Sequence, residues 1–203
     1  MNLKRQALVP GFWRNDMNRR RRMMMSGKKV YVFKEGEGLV LGEYALYSDY
    51  ETEVGSDYIK LCGRAWGTGS HDDDASHGMI IGAKAFEEDA SGWYAKGSAF
   101  DFSEYKTLNF EFALTTDNSN HGIVGYCEDQ RIYNSWLNNT DNEFNEYKIQ
   151  DLYKGGKYKA ISGTERQRVS FDISEETTGI IAMLSPIAYT NNHYAKIYNI
   201  WLE

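Results

Sequence analysis

The densest cluster of chemistry-bearing side chains is GTGSHDDDASHG, residues 67–78, which sets Asp72, Asp73 and Asp74 between His71 and His77. Hard cations need several oxygen ligands on tightly turned backbone, and such a loop offers them to a structural calcium ion. It lacks the D-x-[DN]-x-[DN]-G spacing of an EF-hand, however, and consecutive acids point in different directions. A solvated acidic loop is the better reading, with no cofactor. The histidines, His71, His77, His121 and His193, are candidate general bases, but catalysis needs a nucleophile or second acid held beside the base. No G-x-S-x-G or H-E-x-x-H frame occurs. Two carboxylates on opposing strands would suffice for glycoside cleavage, since geometry defines that pair, yet nothing in the sequence favours one. The expectation is a protein that is not an enzyme.

Binding chemistry is better supplied. Trp66, Trp93, Tyr94 and Trp136 lie in Gly/Ser/Asn-rich surroundings. Loops there can present flat aromatic faces to pyranose CH groups while Asn, Asp or Arg bonds the hydroxyls. Tyr126, Tyr133 and Arg131 are further candidates on a sheet face. For any single aromatic, burial or cover is commoner than binding, and Trp201, with Trp136 after it, reads as core. The other binding element is residues 1–28, where Arg19, Arg20, Arg21 and Arg22 stand beside three methionines, Met23 to Met25, and Phe12, Trp13 and Arg14 lie upstream. Four adjacent arginines suit a polyanion. Residues 1–29 hold nine Lys or Arg against one acid, Asp16, while the rest of the chain holds fourteen basic against twenty-eight acidic groups. A body that acidic repels nucleic acid, so the basic arm fits an acidic groove on a neighbouring protein better.

The elements that must position these groups are strands. The composition has fifteen Tyr, nine Phe, five Trp and nineteen Gly but two Pro, and aromatic runs punctuated by Gly, Asn, Asp and Ser are the pattern of strands and turns. From Lys29 onward, KVYVFKEG alternates, and strand patterns follow over 39–47, 58–64, 78–83, 107–114, 122–127, 131–136, 143–152, 168–173, 178–184 and 195–202. Leu108, Phe110, Phe112 and Leu114 face one way, while Asn109, Glu111 and Ala113 face the other, as in a half-buried antiparallel strand. Residues 85–105 read as a helical turn or a long loop. The spacing predicts one all-β, antiparallel sandwich over residues 29–203, preceded by an extended arm over 1–28 that is ordered only when something holds it. Cys62 and Cys127 match no zinc or disulfide framework and read as buried thiols in a reducing compartment. No signal peptide or membrane span is expected.

Three segments resemble the jelly-roll domains of carbohydrate-binding modules. FDFSEYKTLNFEF, residues 100–112, is similar to the lead-in to their central strand. RVSFDIS with TGIIAMLSP, residues 168–186, resembles their next-to-last strand pair, and AKIYNIWLE, residues 195–203, their closing strand. Domains of this kind recur in structural proteins of tailed phages of Gram-positive bacteria, in tails, baseplates and head fibres, where the opening KVYVFKEG also looks familiar. The resemblance implies a jelly roll and a virion structural protein made in the bacterial cytoplasm. Its expected partners are other virion proteins and host cell-surface glycan, and a homo-oligomer is expected because weak sugar sites gain from multivalency. The alternative is a free carbohydrate-binding or glycoside-cleaving protein.

Overall fold

The computed structural model describes residues 28–47, 52–62, 77–82, 85–89, 92–96, 99–115, 122–127, 131–132, 156–185 and 194–203. Every element among them is a strand. The first eight are β1 (Val30–Lys34), β2 (Gly38–Leu39), β3 (Tyr44–Tyr47), β4 (Glu53–Val54), β5 (Ile59–Cys62), β6 (His77–Ile81), β7 (Ala85–Asp89) and β8 (Gly92–Lys96). There follow β9 (Phe100–Asp101), β10 (Thr107–Leu114), β11 (Ile123–Cys127), β12 (Arg131–Ile132), β13 (Lys157–Ala160), β14 (Gln167–Asp172), β15 (Thr178–Ser185) and β16 (Tyr194–Leu202).

All pairings are antiparallel, and two sheets form the sandwich. The first, sheet A, runs β14-β10-β16-β1-β2, with β5 also on β16 and β4 on β5. The second, sheet B, runs β13-β11-β15-β6-β3, with β9 on β15. From β13 onward the described strands alternate between the sheets, β13 and β15 in sheet B and β14 and β16 in sheet A, as in a jelly roll. A third sheet is β12-β8-β7.

Pattern explains the two sheets differently. In sheet A, β10 alternates, and β16 alternates on either side of an irregularity at Tyr198: Leu108, Phe110, Phe112, Ile197, Ile200 and Leu202 enter the core, while Asn109, Glu111, Asn199 and Trp201 take the outer side. The central strands of sheet B, β6, β11 and β15, carry unbroken apolar runs. Met79, Ile81, Ile181 and Met183 face the core, and their neighbours Ile80, Ile180 and Ala182 are also closed to water. Such runs mark strands covered on both faces. Aromatic rings fill the centre: Tyr126 meets Phe102 and Phe171 edge to face, at centroid distances of 5.7 and 6.2 Å. The hydroxyl of Tyr126 donates to Glu176 Oε1 at 2.7 Å.

Three expectations change. Residues 85–105 hold the strands β7, β8 and β9 rather than a helical turn or plain loop. The single strand over 39–47 divides at Gly42, whose φ of 88° is left-handed. A Cβ there would lie 2.8 Å from Phe100 Cζ, so the chain turns tightly between sheets at a residue without one. Tyr126 belongs to the core and cannot line an exposed sheet face. The arm over 1–27 and the strand expected at 143–152 lie outside the described residues.

Candidate functional site

Strand direction decides which segments share an end of the sandwich. Val30 pairs with Leu202 and Thr107 with Asp172, while the Lys106 and Thr107 amides donate to Glu203 O at 2.7 and 2.8 Å. Lys28 and Lys29, the root of the basic segment, therefore stand beside the last residue at one end. At the opposite end Cys62 pairs with Tyr194 and His77 with Ser185, the Thr115 amide donates to Tyr194 O at 3.1 Å, and Ile161 N donates to Gly122 O at 2.9 Å. Segments 63–76, 116–121 and 186–193 are thus all joined to the sandwich at the end away from Lys28.

The outer side of sheet A carries cross-strand rows fixed by register. One row reads Ser170, Asn109, Trp201, Tyr31; the next reads Arg168, Glu111, Asn199, Lys34. Asn109 is 0% exposed and is bonded as a buried amide must be. Its Oδ1 accepts from Arg168 NH2 at 2.6 Å and Ser170 Oγ at 2.7 Å, and its Nδ2 donates to Thr107 Oγ1 at 3.0 Å. Trp201 is only 4% exposed although it lies on this outer side. The Lys29 ammonium sits 3.7 Å from its ring centroid and the Arg168 guanidinium 4.7 Å, so cations close it from water. Trp201 is thus buried as expected, but on the outer side of sheet A and not in the central cluster.

Arg166 ties the rows together. Its guanidinium donates to Glu35 Oε2 at 2.6 Å and Glu111 Oε2 at 3.1 Å, and lies 4.2 Å from the Tyr198 ring centroid. Asn199 Nδ2 donates to the same Glu111 Oε2 at 2.5 Å. Burial pushes the Glu111 carboxyl up, but hydrogen bonds from Arg166 and Asn199, with the charges of Arg166 and Lys29, outweigh it and hold the group below the usual carboxylate range. The hydrogen bond to Glu35 leads in raising Arg166 above its ordinary value, with Glu111 adding to it against burial. A carboxyl whose ionised form is favoured in this way is poorly suited to protonating a leaving group. Further along the face Tyr58, Tyr194 and Tyr198 are half-buried, with Lys196 at 4.9 Å from Tyr58 and Lys60 at 5.2 Å from Tyr194. The face offers aromatic surface, cations and closed ion pairs, which suits contact with a partner.

The expected site residues fall largely elsewhere. Phe12, Trp13, Arg14 and Arg19 to Arg22 lie outside the described residues, as do Trp66, Asp72, Asp73, Asp74 and Trp136. Trp93 and Tyr94 are consecutive positions of β8, in backbone register with Ile132 and Arg131 of β12. Among the described residues no cluster of His, Cys, Asp and Glu is arranged to hold a metal ion. Sequence reasoning passed over the Tyr58, Tyr194, Tyr198 and Arg166 group, whose members are up to 140 residues apart in the chain. Only the alternation in AKIYNIWLE, which puts polar and aromatic side chains on one face, signals it.

No protein-family model matches the sequence, and no curated protein matches it. Solved structures with a similar fold exist. A cleaved adhesin domain of Lys-gingipain from Porphyromonas gingivalis aligns at 8% identity and a TM-score of 0.43, covering 86% of this chain and 98% of that one. Lectin I-B4 from Griffonia simplicifolia aligns at 10% identity and 0.33, over 79% and 98%. The glycoside hydrolase domain of Endo-D from Streptococcus pneumoniae aligns at 9% identity and 0.39, over 79% of this chain but 21% of that one. Likenesses this distant are of β-sandwich architecture and carry no argument about what this chain binds.

Proposed function

We propose that this chain is a non-enzymatic virion structural protein of a tailed phage, docked by its basic arm onto a capsid or tail component and presenting a carbohydrate-binding-like sandwich. The observation that carries the reading is the polarity of the molecule: the arm root at Lys28 and Lys29 and the segment bearing Trp66 and Asp72 to Asp74 join the sandwich at opposite ends. A particle that grips one end leaves the other facing outward. The charge partition supports the same reading, because nine basic groups crowd into residues 1–29 against an acidic remainder. In this reading Phe12, Trp13 and Arg14 anchor the arm and Arg19 to Arg22 supply its charge. Trp66, Trp93, Tyr94 and Trp136 contact host cell-surface glycan, and the acid triplet is a solvated loop or a structural calcium site. The protein is made in the bacterial cytoplasm and ends in the virion, where a homo-oligomer multiplies weak glycan contacts.

The test is co-sedimentation with particles lacking the wild-type copy. Replacing Arg19 to Arg22 with alanine in the full chain is expected to cut association at least tenfold while leaving the sandwich folded. Undiminished association would move the interface to the body. The half-buried tyrosines on the outer side of sheet A favour one second reading, a free carbohydrate-binding protein. In that case a glycan array probed with the arginine-free variant retains full binding while particles recruit neither protein.

A further inference from the structure

We infer that the β14 edge of sheet A is a latent self-pairing surface, held shut by Lys157 and Lys159. An edge strand presents unpaired N–H and C=O groups and is a template for another chain. Two other edge strands of sheet A, β2 and β4, are two residues long and offer little to pair with. β14 is six residues long, and nothing pairs with it on the side away from β10 among the described residues.

What stands there is a pair of lysines from β13, the edge strand of sheet B. Lys157 Nζ donates to Asp172 O at 2.8 Å, and Lys159 Nζ donates to Ser170 O at 3.1 Å. The match is antiparallel and stepped by two on both sides, so the ammonium groups occupy the places where a neighbouring strand's amides would donate. Within a strand, the N–H and C=O of one residue point to the same side, so positions 170 and 172 both face away from β10. The side chains reinforce the arrangement. The Asp172 carboxylate is turned onto Ser174, accepting from its amide at 3.0 Å and its hydroxyl at 2.6 Å, which leaves the backbone carbonyl to Lys157. Lys159 also lies 5.4 Å from the Phe171 ring centroid. The occupant excluded is a second copy of this chain, because antiparallel pairing of one β14 with another is isologous and closes as a dimer. The inference is independent of what the arm grips.

The experiment is sedimentation velocity and amide hydrogen exchange on the full chain across a concentration series. Lys157→Ala with Lys159→Ala is expected to shift toward twice the wild-type mass as concentration rises. The Ser170 and Asp172 amides should then exchange at least tenfold more slowly than in wild type. Lys157→Arg with Lys159→Arg should behave as wild type, and adding Ser170→Pro to the alanine pair should abolish the shift, since proline removes the outward donor. An alanine pair that sediments as wild type, or association that survives Ser170→Pro, overturns the inference. Loss of the β signal in circular dichroism also overturns it, by making the lysines a requirement for folding.

Discussion

Asn109 and Glu111 show how much a single position on an outer sheet face can hold. Replacing Asn109 with leucine takes the shared acceptor from Arg168 and Ser170; both are exposed and can turn to water, so the cost is the net worth of the lost hydrogen bonds, about 0.5–1.5 kcal/mol each. Urea unfolding should report a loss of that size, and a neutral result would mean the network re-forms through water. Glu111 gives a pH dependence with a defined sign. Its folded-state value lies below that of the unfolded chain, about 4.3, so its stabilising effect is whole above that pH and drains away as pH falls through the folded value. Asp172 acts in the same direction from about 3.9, because the Ser174 hydroxyl and then the Ser174 amide hold its carboxyl low. The thermal midpoint should therefore fall on acidification below about pH 4, and Glu111→Gln should flatten part of that slope; an unchanged slope would remove Glu111 from the account. At this scale the sequence was only partly legible. The alternation in TLNFEFAL announced Asn109 and Glu111 as outward-facing, but Tyr126 is buried in the core, and Trp201 is buried on the outer side of its sheet. An aromatic's periodicity gives its side of a sheet, and does not say whether cations will roof it over or a second sheet will bury it.

The strands divide into two kinds, and the difference is testable. At the centre of sheet B, in β6, β11 and β15, both faces are closed, so Ile180→Ala on the side away from the core should cost about as much as Ile181→Ala on the core side, each about 2–5 kcal/mol. On the outer side of sheet A, the Lys34 and Glu37 pair is solvent-exposed, and Lys34→Ala should change stability by less than about 1 kcal/mol. Denaturant midpoints for the three variants would check this; a cheap Ile180→Ala would mean that the outer cover of sheet B is loose. The continuous apolar runs GMII and GIIAML carry this two-sided burial in plain view, as the alternating runs of β10, β14 and β16 carry one-sided burial. The strands that sequence reasoning passed over lack both patterns. β13 is KYKA, an edge strand whose side chains serve the neighbouring sheet, and β7 and β8 sit among Gly, Ser and acids that read as loop. β13 takes its pairing from β11, distant in the chain, whereas β7 and β8 pair with each other as a hairpin whose polar, Gly-bounded strands lack a clear apolar alternation.

For the whole molecule, the charge partition and the all-β architecture were legible, and the placement of chain ends was not, because it follows from register. The adjoining positions of Val30 and Leu202 mean that a bulky C-terminal fusion sits against the arm root. Such a fusion should weaken particle association more than an equal insertion within 116–121 does, as co-sedimentation would measure; equal effects would separate the arm from that end. The pairing of β16 reaches further, into biosynthesis. This strand holds β10 along one flank and both β5 and β1 along the other. Ribosomes release those three strands before it, so until β16 emerges they lack the neighbour that joins them. The pieces β14-β10, β2-β1 and β4-β5 of sheet A are therefore joined only when β16 arrives, a step of high contact order. Until then their apolar flanks are exposed to chaperones and to other nascent chains. A chain lacking residues 194–203 would lack the strand that joins β10 to β1 and β5, and should leave sheet A in separate pieces.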